Sequence, residues 1–121
     1  MYKFGPKSLK VRGELHPDLQ IIVDELIKKR DVSLLCGYRG EEDQNKAFES
    51  GNSKLKYPQS KHNKKPSEAV DAAPYPIDWS DIKRFEDMCN LVEEIAKAKN
   101  IKIRLGRNFS FVDWPHIELI D

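Results

Sequence analysis

The sequence predicts an α+β fold, a small and mainly antiparallel sheet packed with two to three helices in a single domain over residues 1–121. Three observations carry that expectation. Two segments repeat apolar residues at helical spacing. Short apolar or alternating segments that suit strands follow both of them. A chain of 121 residues is one domain's worth and can bury a core without disulfide staples.

The first helix is expected from Pro17 to about Arg30. Leu19, Ile22, Val23, Leu26 and Ile27 recur on one face, and proline suits a first helical turn. Val32 to Cys36 then reads as a short buried strand stopped by Gly37. Tyr38-Arg39-Gly40 is a turn. Glu41 to Ser50 is expected as a short polar helix with Ala47 and Phe48 inward, closed by Gly51. Residues 52–67 are polar, hold two prolines and read as a loop, the kind of segment that carries function on a rigid scaffold. Ala69 to Ala73 is a strand candidate ended by Pro74 and Pro76. A second helix is expected from Trp79 to Lys99, with Ile82, Phe85, Met88, Cys89, Val92, Ile95 and Ala96 on one face. Asp78 or Ser80 would cap it, and Trp79 would join the core at its start. Ile101 to Leu105 alternates as a half-buried strand does, and Gly106 to Val112 connects onward. His116 to Ile120 alternates again, which puts His116 and Glu118 on one face.

Composition removes several function classes. Hydrophobic residues are 39% and charged residues 34%, which fits a globular rather than a disordered chain. A net charge of +1 gives no basic field for nucleic acid. Lys61, Lys64 and Lys65 form a small cluster that suits a solvated loop. Cys36 and Cys89 are expected as buried thiols without a bridge, neither having a Cys or His partner at metal spacing. Unpaired cysteines are compatible with a reducing cytoplasm. The N-terminus shows no apolar signal-peptide core, and no apolar run is long enough to span a membrane. The expectation is a protein made in the cytoplasm, with no stable membrane association.

The chemistry concentrates in two segments. Ser60 to Pro74 carries His62 and Asp71 around a proline-containing loop, and Asp113 to Leu119 carries Asp113 three residues before His116. Two histidines and one carboxylate can hold a single zinc ion and leave a fourth position open. A spare aspartate beside them can accept a proton from water. The same residues also have a plain structural reading: an exposed loop histidine, a capping aspartate and a satisfied core histidine. Arg39 offers a planar fork for a carboxylate or an oxyanion, or else a surface ion pair. Glu118 would fix the imidazole of His116, or face solvent. His16, just before Pro17, reads as structural. Trp114 lies between Asp113 and His116 and is placed to line a cleft.

Local contexts narrow the choice. Ser60-x-His62, Ala69-Val70-Asp71-x-x-Pro74 and Asp113-x-x-His116-x-Glu118-Leu119, in that order, resemble the VanY-like zinc peptidases of bacterial cell-wall metabolism. Within them the chain is similar to the L-alanyl-D-glutamate peptidase endolysins of bacteriophages. The resemblance also takes in Lys3-Phe4-Gly5, the Leu15-to-Leu19 helix start, Gly37-Tyr38-Arg39 with Gln44, Ala73 to Trp79, and Ile103 to Gly106. It implies one zinc ion held by His62, Asp71 and His116, with Asp113 as the general base. It further implies that Arg39 acts in catalysis and substrate binding, with Ser60 and Gln44 in the substrate pocket. One departure is visible. The stretch from Asn63 to Glu68 is longer than the usual loop between the first two ligands and lacks its glycine.

The activity so implied is cleavage of the peptidoglycan stem peptide between L-alanine and D-glutamate. It would come from a monomer made in the host bacterium and reaching the wall after holin-type release. Two other readings stand beside it. A D,D-carboxypeptidase would use the same metal and mechanism, with a pocket for a free carboxylate. A zinc-stabilised cell-wall binding domain would need no Asp113.

Overall fold

Four α-helices and four strands follow one another in the order ααβαβαββ in the computed structural model, which describes residues 2–120. The helices are α1 (Pro6–Gly13), α2 (Pro17–Lys29), α3 (Glu41–Glu49) and α4 (Ile82–Ala98). The strands are β1 (Val32–Cys36), β2 (Ala69–Pro74), β3 (Ile103–Leu105) and β4 (His116–Leu119). The strands form one sheet in the order β1-β2-β4-β3, and every neighbouring pair is antiparallel. The α+β expectation therefore holds, with one helix more than the sequence predicts.

The extra helix is α1. Its only buried residues are Ser8 and Val11, so it has no apolar stripe to read. Tertiary contacts hold it instead. The Ser8 hydroxyl accepts the Leu34 N–H of β1 at 3.0 Å, and Arg12 makes a two-pronged pair with Asp24 of α2 at 2.7 and 2.6 Å.

In α2 all five expected residues are buried. His16 caps this helix, its Nδ1 accepting the Asp18 N–H at 3.0 Å, so its role is structural as expected. The second long helix starts at Ile82 rather than Trp79. Asp81 is its cap, while Asp78 spends its carboxylate on the backbone and hydroxyl of Ser80. Trp79 is left outside the core, 56% exposed and stacked on Phe85. In α3 the fully buried residue is Gln44, and Ala47 and Phe48 are only half-buried.

The core lies between the sheet and the α2–α4 pair. Leu19, Ile22, Leu26, Phe85, Met88 and Val92 meet Val70, Leu105 and Ile117 there. Burying each of the larger side chains contributes roughly 1.5–3 kcal/mol. The opposite face of β2 and β4 is left for polar groups.

Candidate active site

Strand register assembles the site. Asp71 of β2 stands directly across from His116 of β4, and residues so paired share a face of the sheet. In β1 the pairing slips between Leu34 and Cys36, so that Cys36 rather than Leu35 lies opposite Asp71. Such an irregularity re-aims a side chain. The result is a row, Cys36–Asp71–His116, across three strands.

His62 reaches this row from the loop between α3 and β2. Residues 61–63 form a single 3-10 turn. The Ser60 hydroxyl accepts the His62 N–H at 3.2 Å, and the Asn63 side-chain carbonyl accepts the Ser60 N–H at 3.0 Å. Asn63 also donates to the Arg39 carbonyl at 2.8 Å and to Gln44 Oε1 at 3.2 Å. The Arg39 N–H donates to the His62 carbonyl at 2.8 Å. The histidine loop and the arginine turn are thereby tied to each other.

The two imidazoles converge on one oxygen. His62 Nε2 and His116 Nδ1 each lie 3.3 Å from Asp71 Oδ1. The remaining ring nitrogens are already occupied. His62 Nδ1 faces the Gly37 carbonyl at 2.7 Å, and His116 Nε2 faces Glu118 Oε1 at 2.8 Å. Glu118 is held in turn by Arg104 at 3.1 Å. Carboxylate and carbonyl partners of this kind orient histidine ligands for a metal.

The donor set fits zinc. Ligands of a tetrahedral ion with bonds of about 2.0–2.1 Å lie about 3.3–3.4 Å apart, which matches both nitrogen–oxygen separations. Cys36, His62 and Asp71 also form a group whose donor atoms all lie within 4.8 Å, as do Asp71, Asp113 and His116. Both groups share Asp71. The proximity of Cys36 to a histidine corrects the sequence expectation, because a 26-residue separation hides a contact made by strand register. Its sulfur sits 3.8 Å from His62 Nδ1, the nitrogen already turned to Gly37, and within 3.7 Å of Arg39. That geometry leaves Nε2 as the free donor. Cys36 is half-buried, Cys89 is fully buried, and neither is in a disulfide. Burial pushes the Cys89 thiol up to about 11.

The electrostatics are those of charges packed together. Burial disfavours a charged His62, but the bonds to Asp71 and Cys36 outweigh it and push the pKa up to about 10. His116 is raised against burial by Asp71 and Glu118. Asp71 is held well below the usual carboxylate range, the two histidines overcoming its burial. Asp113 shifts the other way, raised by burial and then by the charge of Asp71.

Asp113 is delivered by a loop that closes over Gly106. The Gly106 carbonyl accepts the N–H groups of Phe109 at 3.1 Å and Asp113 at 2.9 Å. A β-carbon at Gly106 would lie 2.0 Å from the Asp113 carbonyl oxygen, so only glycine permits this approach. Phe109, from the same loop, packs its ring 5.4 Å from that of His116.

The cluster floors an open cleft of about 430 Å³. His62, Asp71, Asp113, His116, Arg39 and Ser60 all line it. Gln44 does not. It is fully buried and holds Arg39 Nη1 at 3.0 Å, which places it behind the cleft wall. Trp114 is half-buried against the core rather than in the cleft. Lys64 and Lys65 are exposed, as a solvated loop requires, and Lys61 pairs with Glu68. Asn63, Gly106 and Glu118 complete the support of the site. Of these only the Ser60-x-x-Asn63 capping spacing and the Glu118 periodicity leave a trace in the sequence.

Paired imidazoles and carboxylates converging on the floor of an open cleft are what hydrolases build. The chain belongs to the phage L-alanyl-D-glutamate peptidase family, whose model matches residues 1–120. It is a peptidase of the peptidoglycan-hydrolysing kind. The crystal structure of the Serratia marcescens L-Ala D-Glu endopeptidase ChiX is similar in fold, with a TM-score of 0.84 and 21% identity. The match covers 98% of this chain and 91% of that one. No curated protein matches the sequence. Among the described residues no helix is long and apolar enough to cross a membrane.

Proposed function

We propose that residues 1–121 form one zinc-dependent catalytic domain that cuts the L-alanyl-D-glutamate bond of the cell-wall stem peptide. The observation that carries this reading is the double approach of His62 and His116 to one oxygen of Asp71 beneath an open cleft. Those three side chains would hold the ion. Zinc, when bound, polarises a carbonyl and makes water more acidic.

The remaining roles fall to the chain's own groups. Asp113 takes the proton of the attacking water and hands it to the leaving amine of D-glutamate. Its raised pKa suits both halves of that transfer. Arg39 is gripped by Gln44 and lies 3.9 Å from Asp71, so its guanidinium is a fixed donor for the substrate carbonyl as negative charge develops. Ser60 acts mainly by shaping the His62 turn at the cleft wall. The enzyme would act as a monomer, be made in the host cytoplasm and meet the wall after holin-type release.

Metal analysis together with one digest tests the reading. The protein should carry one zinc, lose turnover of an L-Ala-D-Glu stem peptide on chelation and regain it with zinc. Mass spectrometry should find the fragment beginning at D-glutamate. Release of D-alanine alone would mean a D,D-carboxypeptidase, and a zero rate with zinc fully bound would mean a binding domain.

A further inference from the structure

The cleft carries a cation that the peptide-cutting steps leave unused. Arg39 and Lys54 are the two Lys or Arg side chains that line it. Arg39 is committed, through Nη1 to Gln44 and through Nη2 towards Cys36 and Asp71. Lys54 has no ion pair among the described residues. Its Nζ instead rests 4.5 Å from the ring centre of Phe111, an exposed residue of the loop that carries Asp113. At an exposed site such a cation–ring contact is weak enough for a carboxylate to displace it.

Lys54 is nevertheless not on a free loop. The buried Gln44 amide donates to the Ser53 hydroxyl at 2.9 Å and to the Leu55 carbonyl at 2.6 Å, one residue to either side. The Leu55 N–H donates to the same Ser53 hydroxyl at 3.2 Å. The side-chain amide that fixes Arg39 thus also fixes the backbone on which Lys54 stands.

We propose that Lys54 is a specificity-determining residue that binds the free carboxylate of the glutamate on the leaving side of the scissile bond. This rests on the L-alanyl-D-glutamate reading of the site. A glutamate whose amine lies in the scissile bond has two carboxyl groups. The chain continues through one, and the other is a free acid or an amide. The other lining cation, Arg39, is held by Gln44, Cys36 and Asp71, whereas Lys54 is exposed and has no ion pair among the described residues. An ammonium distinguishes the acid from the amide, because only the acid gives a charge-assisted pair.

The test uses the zinc-loaded full chain and two synthetic L-alanyl-D-glutamyl-L-lysine peptides, differing only in whether the spare glutamate carboxyl is free or amidated. Wild type should prefer the acid in kcat/KM on the order of tenfold, as one charge-assisted contact allows, and mainly through KM. Lys54→Met should bring that ratio towards one with zinc content retained, and Lys54→Arg should keep most of it. A wild-type ratio of one, or the same ratio in wild type and Lys54→Met, overturns the assignment. Calorimetric titration of the leaving peptides alone, D-glutamyl-L-lysine as acid and as amide, makes the same comparison without turnover. If wild type cleaves neither substrate, the hydrolase reading fails and the titration decides the role of Lys54. Equal binding of acid and amide then overturns it.

Discussion

Gly106→Ala is the substitution that separates the placement of Asp113 from its chemistry. The new methyl carbon would lie 2.0 Å from the Asp113 carbonyl oxygen, 3.0 Å from its carbonyl carbon and 2.8 Å from His116 Cβ. Real contacts of this type essentially never fall under 3.0 Å, so the loop must retreat by about 1 Å or more. No flexible side chain can yield in its place, since two of the three atoms met belong to backbone. Overpacking of this kind costs about 1–3 kcal/mol. The retreat also weakens the 2.9 Å bond from the Asp113 N–H to the Gly106 carbonyl. A misplacement of about 1 Å can cost roughly a hundredfold in rate. The expected result is a melting temperature lowered by several degrees and kcat reduced about a hundredfold, with KM little changed. Thermal denaturation and steady-state turnover of the stem peptide measure all three, and zinc content checks that His116, whose Cβ the new methyl also meets, keeps its place. Wild-type stability together with wild-type turnover would refute the close approach, and with it the account of how Asp113 is held.

Four further outcomes follow from the site. His62→Ala or His116→Ala should lose metal and activity together, read by metal analysis and turnover, because each imidazole supplies a free nitrogen to one point. Asp113→Asn should keep zinc while turnover falls by about two to four orders of magnitude, the range for lost acid–base catalysis; zinc loss in this variant would make Asp113 a ligand. Arg39→Lys should keep zinc and turn over more slowly, because lysine lacks the planar fork. Finally, the metal-free histidines are raised, His62 to about 10, so their contribution to stability is complete below their unfolded value of about 6.5 and fades as pH rises through the folded one. Zinc binding at pH 7 must then expel protons. Calorimetry in buffers of different ionisation heat should show more than one proton released per ion, and release of none would place the metal elsewhere.

The parts of the fold that were legible are those with a period. The α2 and α4 stripes record burial in residue type, the alternation of His116 to Ile120 records which face of a strand buried on both sides turns to the polar cluster, and each element forms where expected to within a few residues. What escaped has no period. Helix α1 is held by a serine hydroxyl and an arginine pair rather than by an apolar face. The α4 start moved because Asp81 out-competed Asp78, whose carboxylate Ser80 had taken. Cys36 came to the cluster through a slip in register, which pattern alone cannot place. His62 is the instructive case: its loop has no strand or α-helix signal, yet it is one of the most buried polar residues of the site. A capping serine two positions before it and an asparagine directly after it supply the backbone partners that the missing ladder would have given.

Gln44 shows why the support of a site is harder to read than its chemistry. A buried amide must find partners for both its oxygen and its nitrogen, since each one left empty costs about 1–3 kcal/mol. Here the oxygen receives Arg39 and Asn63, and the nitrogen serves Ser53 and Leu55. Satisfying one side chain therefore joins α3, the arginine turn, the histidine loop and the segment bearing Lys54. The histidines and aspartates come to the row from β2, β4 and a tethered loop, whereas the two cleft cations both depend on this one residue. Orientation of the substrate is thus coupled to the integrity of α3, an element whose sequence is polar throughout its exposed face and whose single fully buried side chain is not apolar at all.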